Sequence, residues 1–189
     1  MSRPPLKRED LEHAVIEVVA DKGLRGATIQ DIAGAAGVSP GLLYRYWKNR
    51  DALAADVFRS HYTRLVDELE QRAAREVEVA DKLAEMVHAF LEFADQKPVI
   101  LKFVLMTQHE LIVKLPDHVG VKVLLDRVLG EGLAQGKLRD LPRPLLMHLL
   151  IGIVMQPVIG TMYGDLEPPV SRHAPALVET VRRALFEGN

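Results

Sequence analysis

Tyr44, Arg45, Tyr46 and Lys48 place a guanidinium, two phenols and an ammonium within one short stretch of the chain. This is the chemistry of a nucleic-acid face. An arginine donates paired hydrogen bonds to the O6 and N7 of a guanine, while tyrosine hydroxyls reach phosphate oxygens. Gly41, one helical turn earlier, lets the backbone come close to a groove. At 100° per residue Gly41, Tyr44, Arg45 and Lys48 share one side of a helix, and Leu43 and Trp47 share the other.

The elements that must hold these groups are legible from Thr28 to Leu53, TIQDIAGAAGVSPGLLYRYWKNRDAL. Ile29, Ile32, Ala33 and Ala36 recur at i, i+3, i+4 and i+7, which predicts a short amphipathic helix with Gln30, Asp31 and Gly34 facing outward. Thr28 begins it: its hydroxyl accepts from the N–H of Asp31, whose carboxylate suits the positive helix end. Gly37 ends it, because glycine enters the left-handed region without steric cost. Val38 fills the corner. Ser39 is the expected cap of a second helix and Pro40 its first residue, where a missing N–H is harmless. Asn49 caps a third helix that opens Arg50-Asp51-Ala52, and Arg50 is expected to hold a phosphate over the free N–H groups there. The pattern is a helix-turn-helix. The alternative is two amphipathic helices of an all-α protein with a packed tyrosine pair and a solvated arginine.

The whole string resembles the DNA-binding domain of the tetracycline-repressor (TetR) family of bacterial transcription regulators. The match runs through Thr28, Ile32, Ala33, Ala36, Gly37, Val38, Ser39, Leu43, Tyr44, Tyr46, Asn49, Arg50, Asp51 and Leu53. It covers about residues 7 to 60, and the stretch GLAQGKL at Gly132 to Leu138 looks like the end of the helix before the family's dimerisation pair. Two positions depart. Leu42 stands where the family has a small or hydroxylated residue, so a thymine-methyl contact is expected in place of a polar one. Trp47 replaces a phenylalanine inside the hydrophobic seam. The resemblance implies an all-α fold: an N-terminal three-helix domain with a helix-turn-helix at 1–48, then a larger helical effector-binding and dimerisation domain at 49–189. Its expected DNA contacts are Thr28, Ser39, Pro40, Gly41, Leu42, Tyr44, Arg45, Tyr46, Lys48 and Arg50.

Composition bounds the rest. A chain of 189 residues, 48% hydrophobic with 5% aromatics, suits a helical protein built on Leu, Val and Ala. Cysteine is absent, which excludes disulfide scaffolds and zinc fingers. No secretory leader pattern is present, so the cytoplasm is the expected compartment. The net charge of −2 argues against nucleic acid, but its distribution does not. Residues 1 to 50 carry eight Lys/Arg against six acids, and the remainder carries sixteen against twenty, so the two ends differ in sign. Arg3, Lys7 and Arg8 precede the first helix, either near a phosphate or as a solvated tail.

Further along, Leu11, Ala14, Val15, Val18 and Val19 predict a covering helix that stops at Gly23. Leu53, Val57, Phe58, Leu65 and Leu69 carry one apolar face through a helix of residues 50 to 74, shared by both halves. Leu83, Met86, Val87, Phe90 and Ala94 form the next stripe. Val99 to Met106 is apolar nearly all round, Val121 to Leu129 carries another helix, and Leu145 to Tyr163 has no charge beyond His148. That last run approaches the roughly 20 residues a bilayer needs. Pro157, Gly152 and Gly160 interrupt it, and a helix covered by its own core and a second subunit reads the same way. With the final helix, about 174 to 186, it is expected to form half of an intermolecular four-helix bundle, through Leu149, Ile153, Leu177, Val181 and Leu185.

No catalytic residue, metal site or cofactor is expected: His109-Glu110 and Asp117-His118 lack ligand spacing, and no phosphate-binding glycine loop occurs. The resemblance implies a homodimer on a pseudo-palindromic double-stranded operator, released by a small, largely apolar effector lodged near Met86, Phe90, Phe103, Met106, His109 and Met155. Membranes are not an expected partner. A helical adaptor that uses the same Tyr and Arg face for protein contacts stays open as the alternative.

Overall fold

In the computed structural model, which describes residues 8–116 and 120–187, the apolar stripes become nine α-helices. They are α1 (Arg8–Gly26), α2 (Ile29–Ala35), α3 (Pro40–Tyr44), α4 (Arg50–Ala73), α5 (Val79–Gln96), α6 (Pro98–Leu111), α7 (Val121–Ala134), α8 (Arg143–Tyr163) and α9 (Ala174–Leu185). Two 3-10 turns, Ile112–Lys114 and Val170–His173, follow α6 and precede α9. The class is all-α. Arg3, Lys7, Asp117 and His118 lie outside the described residues.

The helices form two compact units. The first contains Arg8–Tyr62 together with Pro98–Pro116, and the second contains Thr63–Lys97 with the described residues beyond Pro116. In the first unit α1 packs against α2 and α6, and α2 against α3. Its core is the expected stripe of Leu11, Ala14, Val15 and Val19 with Ile32, Leu43, Leu53, Val57 and Phe58, to which α6 adds Leu101, Phe103 and Val104. Gly23, at φ 73°, breaks α1 where a stop was expected, and one further turn carries the chain to Ala27.

In the second unit α7, α8 and α9 pack around α5. The turn before α9 is fastened by Asp95, whose two carboxylate oxygens accept the N–H groups of Val170 and Ser171 at 2.7 and 2.9 Å. Antiparallel pairing of Leu138 with Phe186 closes the end of α9 against the segment after α7. Here α8 turns Leu146, Leu150, Val154 and Val158 inward, a stripe at four-residue spacing, while Leu145 and Leu149 stay exposed. Of its most apolar eighteen-residue stretch only 28% is buried, and by length and composition α8 alone among the described helices is long and apolar enough to cross a membrane.

Packing is close at Gly132, on the buried side of α7. A Cβ there would lie 2.8 Å from Leu138 Cδ1 and 3.0 Å from Val79 Cγ1. Both neighbours are themselves in the core. Gly132→Ala is therefore expected to destabilise the protein by about 1–3 kcal/mol, the usual cost of overfilling a packed core. Urea unfolding checks it, and an unchanged midpoint would mean that Leu138 yields freely.

Candidate nucleic-acid interface

The reading elements are short, and their shape comes from local hydrogen bonds. Thr28 Oγ1 accepts the Asp31 N–H at 3.1 Å, and Asp31 Oδ2 accepts the Thr28 N–H at 3.0 Å, a complete capping box at the start of α2. Lys22 adds a 2.7 Å ion pair to Asp31. The Asp31 carboxyl is held below its ordinary range, chiefly by the Lys22 hydrogen bond and next by the Thr28 hydroxyl. At the other end Gly37 sits at φ 65°, its N–H bonded to Gly34 O and that of Val38 to Ala33 O.

Beyond this turn α3 is shorter than the sequence pattern suggested, ending at Tyr44 rather than near Trp47. Ser39 occupies the cap position, but its hydroxyl makes no capping bond. The reason is local: the Leu42 N–H it would serve already bonds the Ser39 carbonyl at 3.0 Å. Leu43 is fully buried and pins α3 to the core. Around it Gly41, Tyr44, Arg45, Tyr46 and Lys48 are exposed, with Tyr46 at 69%. Arg45 and Lys48 are both exposed, and neither pairs with a carboxylate among the described residues. Leu42 and Pro40 are half-buried at the edge of this face, and Thr28 is exposed while its hydroxyl is engaged in the capping box.

Arg50 is placed differently from expectation. Asn49 does cap α4, its Oδ1 accepting from the Ala52 N–H at 2.8 Å. The Arg50 guanidinium, however, turns back into the protein. Its Nη1 donates to the carbonyls of Arg25 and Ala27 at 3.1 and 2.9 Å, and its Nε and Nη2 donate to Asp51 at 2.8 and 2.6 Å. Arg50 thus fastens the joint between α1 and α2 to the start of α4. Trp47 likewise gained a partner that periodicity does not name, donating from Nε1 to Asp56 Oδ2 at 3.3 Å. Both contacts depend on which carbonyl or carboxylate the fold brings near, and no spacing rule carries that information.

Comparison with known proteins agrees with this geometry. Residues 13–57 match the model of the bacterial regulatory proteins, tetR family. The HTH-type transcriptional regulator BetI 1 of Chromohalobacter salexigens is 31% identical over 143 residues, 74% of this chain and 69% of that protein. The chain belongs to the TetR family. It is accordingly a DNA-binding transcription regulator. Another TetR-family relative, the fatty acid metabolism regulator protein of Bacillus subtilis, is 25% identical over 80% of this chain and 81% of its own length. In fold, this TetR chain also matches the transcriptional regulator FadR from Bacillus subtilis in complex with stearoyl-CoA, with a TM-score of 0.74 at 19% identity over 93% of this chain and 97% of that one.

The residues expected to line an effector site of this TetR protein fall in both units. Phe103 (fully buried), Met106 and His109 (both exposed) are on α6 in the first, and Met86 (buried), Phe90 and Met155 (both half-buried) are in the second. Of the expected dimer residues, Leu149 is exposed and Ile153 and Leu177 are half-buried. Val181 and Leu185 instead belong to the second unit's own core, at 2% and 0% exposure, because the most regular apolar face of α9 is the one turned inward. Among the described residues no three His, Asp or Glu side chains gather as a metal site.

The capping box generates a pH test with a fixed sign. Asp31 is depressed in the folded protein, so its contribution is present above the unfolded carboxyl value of about 3.9 and is lost as pH falls through the lower folded value. Thr28→Ala is expected to cost about 0.5–2 kcal/mol at neutral pH. Asp31→Asn is expected to remove this group's share of the fall in stability below about pH 4. Thermal melts from pH 7 to pH 2.5 decide it, and an unchanged acid limb in Asp31→Asn would refute the assignment.

Proposed function

We propose that this TetR-family regulator is a homodimeric repressor that binds a pseudo-palindromic operator and leaves it when a small, largely apolar molecule enters the region of residues 49–189. The observation that carries the operator reading is the exposed pair Arg45 and Lys48, neither held by a carboxylate among the described residues, beside Tyr44 and Tyr46 on the end of α3, pinned by Leu43, and the turn that follows it. Arg45 reads a base and the tyrosines and Lys48 hold phosphates. Arg50, engaged with the Arg25 and Ala27 carbonyls, acts as a fastener of this face, a revision of the phosphate role its position suggested.

The dimer reading is supported by the exposed apolar side of α8, Leu145 and Leu149 with half-buried Ile153, next to half-buried Leu177 and Val178 of α9. A second copy of the same surface covers it by two-fold symmetry. The protein then works in the cytoplasm, with α8 buried between subunits rather than in lipid. Two recognition helices about 34–36 Å apart enter successive major grooves. The effector reading is supported by relatives named for fatty acid metabolism and by the stearoyl-CoA complex of a protein of the same fold. An acyl chain is the apolar ligand class this favours. Its effect on operator affinity is bounded by its differential affinity for the two states.

Three measurements test the reading. Arg45→Ala is expected to cost about 1–3 kcal/mol on an operator selected from random duplexes and to relax preference at one base pair per half-site. Retention of full base preference would exclude Arg45 as the reader. In sedimentation at micromolar concentration the parent is expected to be a dimer and Ile153→Asp a folded monomer, whereas Val181→Asp, placing an unpaired charge in a core, loses helix content. A monomeric parent overturns the interface. Stearoyl-CoA and stearate, titrated against the operator complex, are expected to release DNA, and no release by either removes the acyl-chain assignment.

A further inference from the structure

We infer that the hydrogen bond from Trp47 to Asp56 is a specificity-determining positioning contact, fixing the turn that presents Arg45 and Tyr46 to a duplex. This inference rests on the reading of Arg45 as the base contact. The turn is otherwise held by local backbone bonds and by the Asn49 cap of α4. After α3 ends, the N–H groups of Tyr46 and Trp47 both go to the Leu43 carbonyl, at 3.1 and 3.0 Å, and Lys48 and Asn49 are not helical. Arg45 and Tyr46 therefore stand on a loop held at its front by the buried Leu43 and at its back by Trp47.

The indole is half-buried, tilted at 55° to the Tyr46 ring with centroids 5.6 Å apart, and its N–H points at Asp56 Oδ2, 3.3 Å away on α4. An indole N–H donates and cannot accept, and the rigid ring carries that single bond directly to the backbone turn. The acceptor is itself fixed. Asp56 Oδ2 also receives Arg8 Nη2 at 3.2 Å, and Asp56 Oδ1 lies 3.7 Å from Arg59 Nη2. Arg8 is in turn held by the buried Glu12 at 2.8 Å, and Glu12 Oε2 lies 3.1 Å from His61 Nε2. Trp47 is thus tied to α1 and α4 through a chain of polar contacts. A phenylalanine at this position would fill the same seam and donate nothing.

The experiment compares the parent, Trp47→Phe, Asp56→Ala, Asp56→Asn and the Trp47→Phe/Asp56→Ala pair. Each is measured on the selected operator and on a scrambled duplex of equal length at one salt concentration. Trp47→Phe is expected to weaken operator binding about fivefold to tenfold, within the range for losing one ordinary hydrogen bond, with scrambled-duplex binding unchanged. Asp56→Ala should do the same, and the pair should lose no more than either alone. Asp56→Asn, which keeps an acceptor oxygen, should retain most of the preference. A Trp47→Phe protein with the parent's ratio of operator to scrambled affinity overturns the inference, as do equal losses on both duplexes or additive losses in the pair. A parent that prefers no duplex overturns the operator reading itself, and is told apart because no variant is needed to see it.

Discussion

A helix of five residues cannot maintain its own direction. Isolated helices below a dozen or so residues are marginal in water, because nucleation fixes several dihedral angles before bonds accumulate. The helix Pro40–Tyr44 is far below that length. Everything around it supplies the missing constraint: the left-handed Gly37 sets the entry angle, Leu43 inserts into the core, and Trp47 meets Asp56 on the far side. Arg50 secures the joint before Thr28, from which the capping box starts the preceding helix. The exposed side chains of this face are presented by a surface element whose rigidity is borrowed from the groups around it.

The parts of this arrangement that were legible in the sequence are those decided within four residues. Thr28 with Asp31, Gly37, and Asn49 with Ala52 are local bonds whose geometry follows from residue type and offset, and each is where the pattern puts it. Ser39 shows how a local rule fails. The right residue stands at the cap, but the 3-10 bond from Leu42 N–H to its own carbonyl takes the donor its hydroxyl would have served. Arg50 and Trp47 mark the limit more sharply. A cation beside free helix N–H groups and an aromatic in a seam are reasonable local readings. Their actual partners, carbonyls more than twenty residues upstream and a carboxylate on the next helix, become neighbours only once the fold exists.

Helix periodicity has the same limit in the second unit. The α9 stripe at Leu177, Val181 and Leu185 announces a buried face without saying what buries it, and two of its three members are covered by their own chain. In α8 the ambiguity is wider, since apolar residues surround the axis. The residues Leu146, Leu150, Val154 and Val158 go to the core, and the adjoining row of Leu145 and Leu149 is left exposed. Contiguous exposed apolar surface marks interaction sites on soluble chains, which supports the second subunit proposed there.

The division of the chain into units bears on the effector control proposed above. The helix α6, which carries Phe103, Met106 and His109, belongs to the same unit as the helix-turn-helix and packs directly on α1. Arg25 at the end of α1 meets Glu110 near the end of α6 at 3.3 Å, and Phe103 is fully enclosed within that unit's core. A packed interior has discrete arrangements rather than a continuous range, so a ligand that displaces α6 by a small amount must repack α1 or leave a void. The carbonyls of Arg25 and Ala27, at the end of that same helix, are the acceptors of Arg50. Under the proposed effector control, strain on α1 would reach the fastening of α4 and the Thr28 start of α2, the joints on either side of the short helix Pro40–Tyr44 and its partner α2.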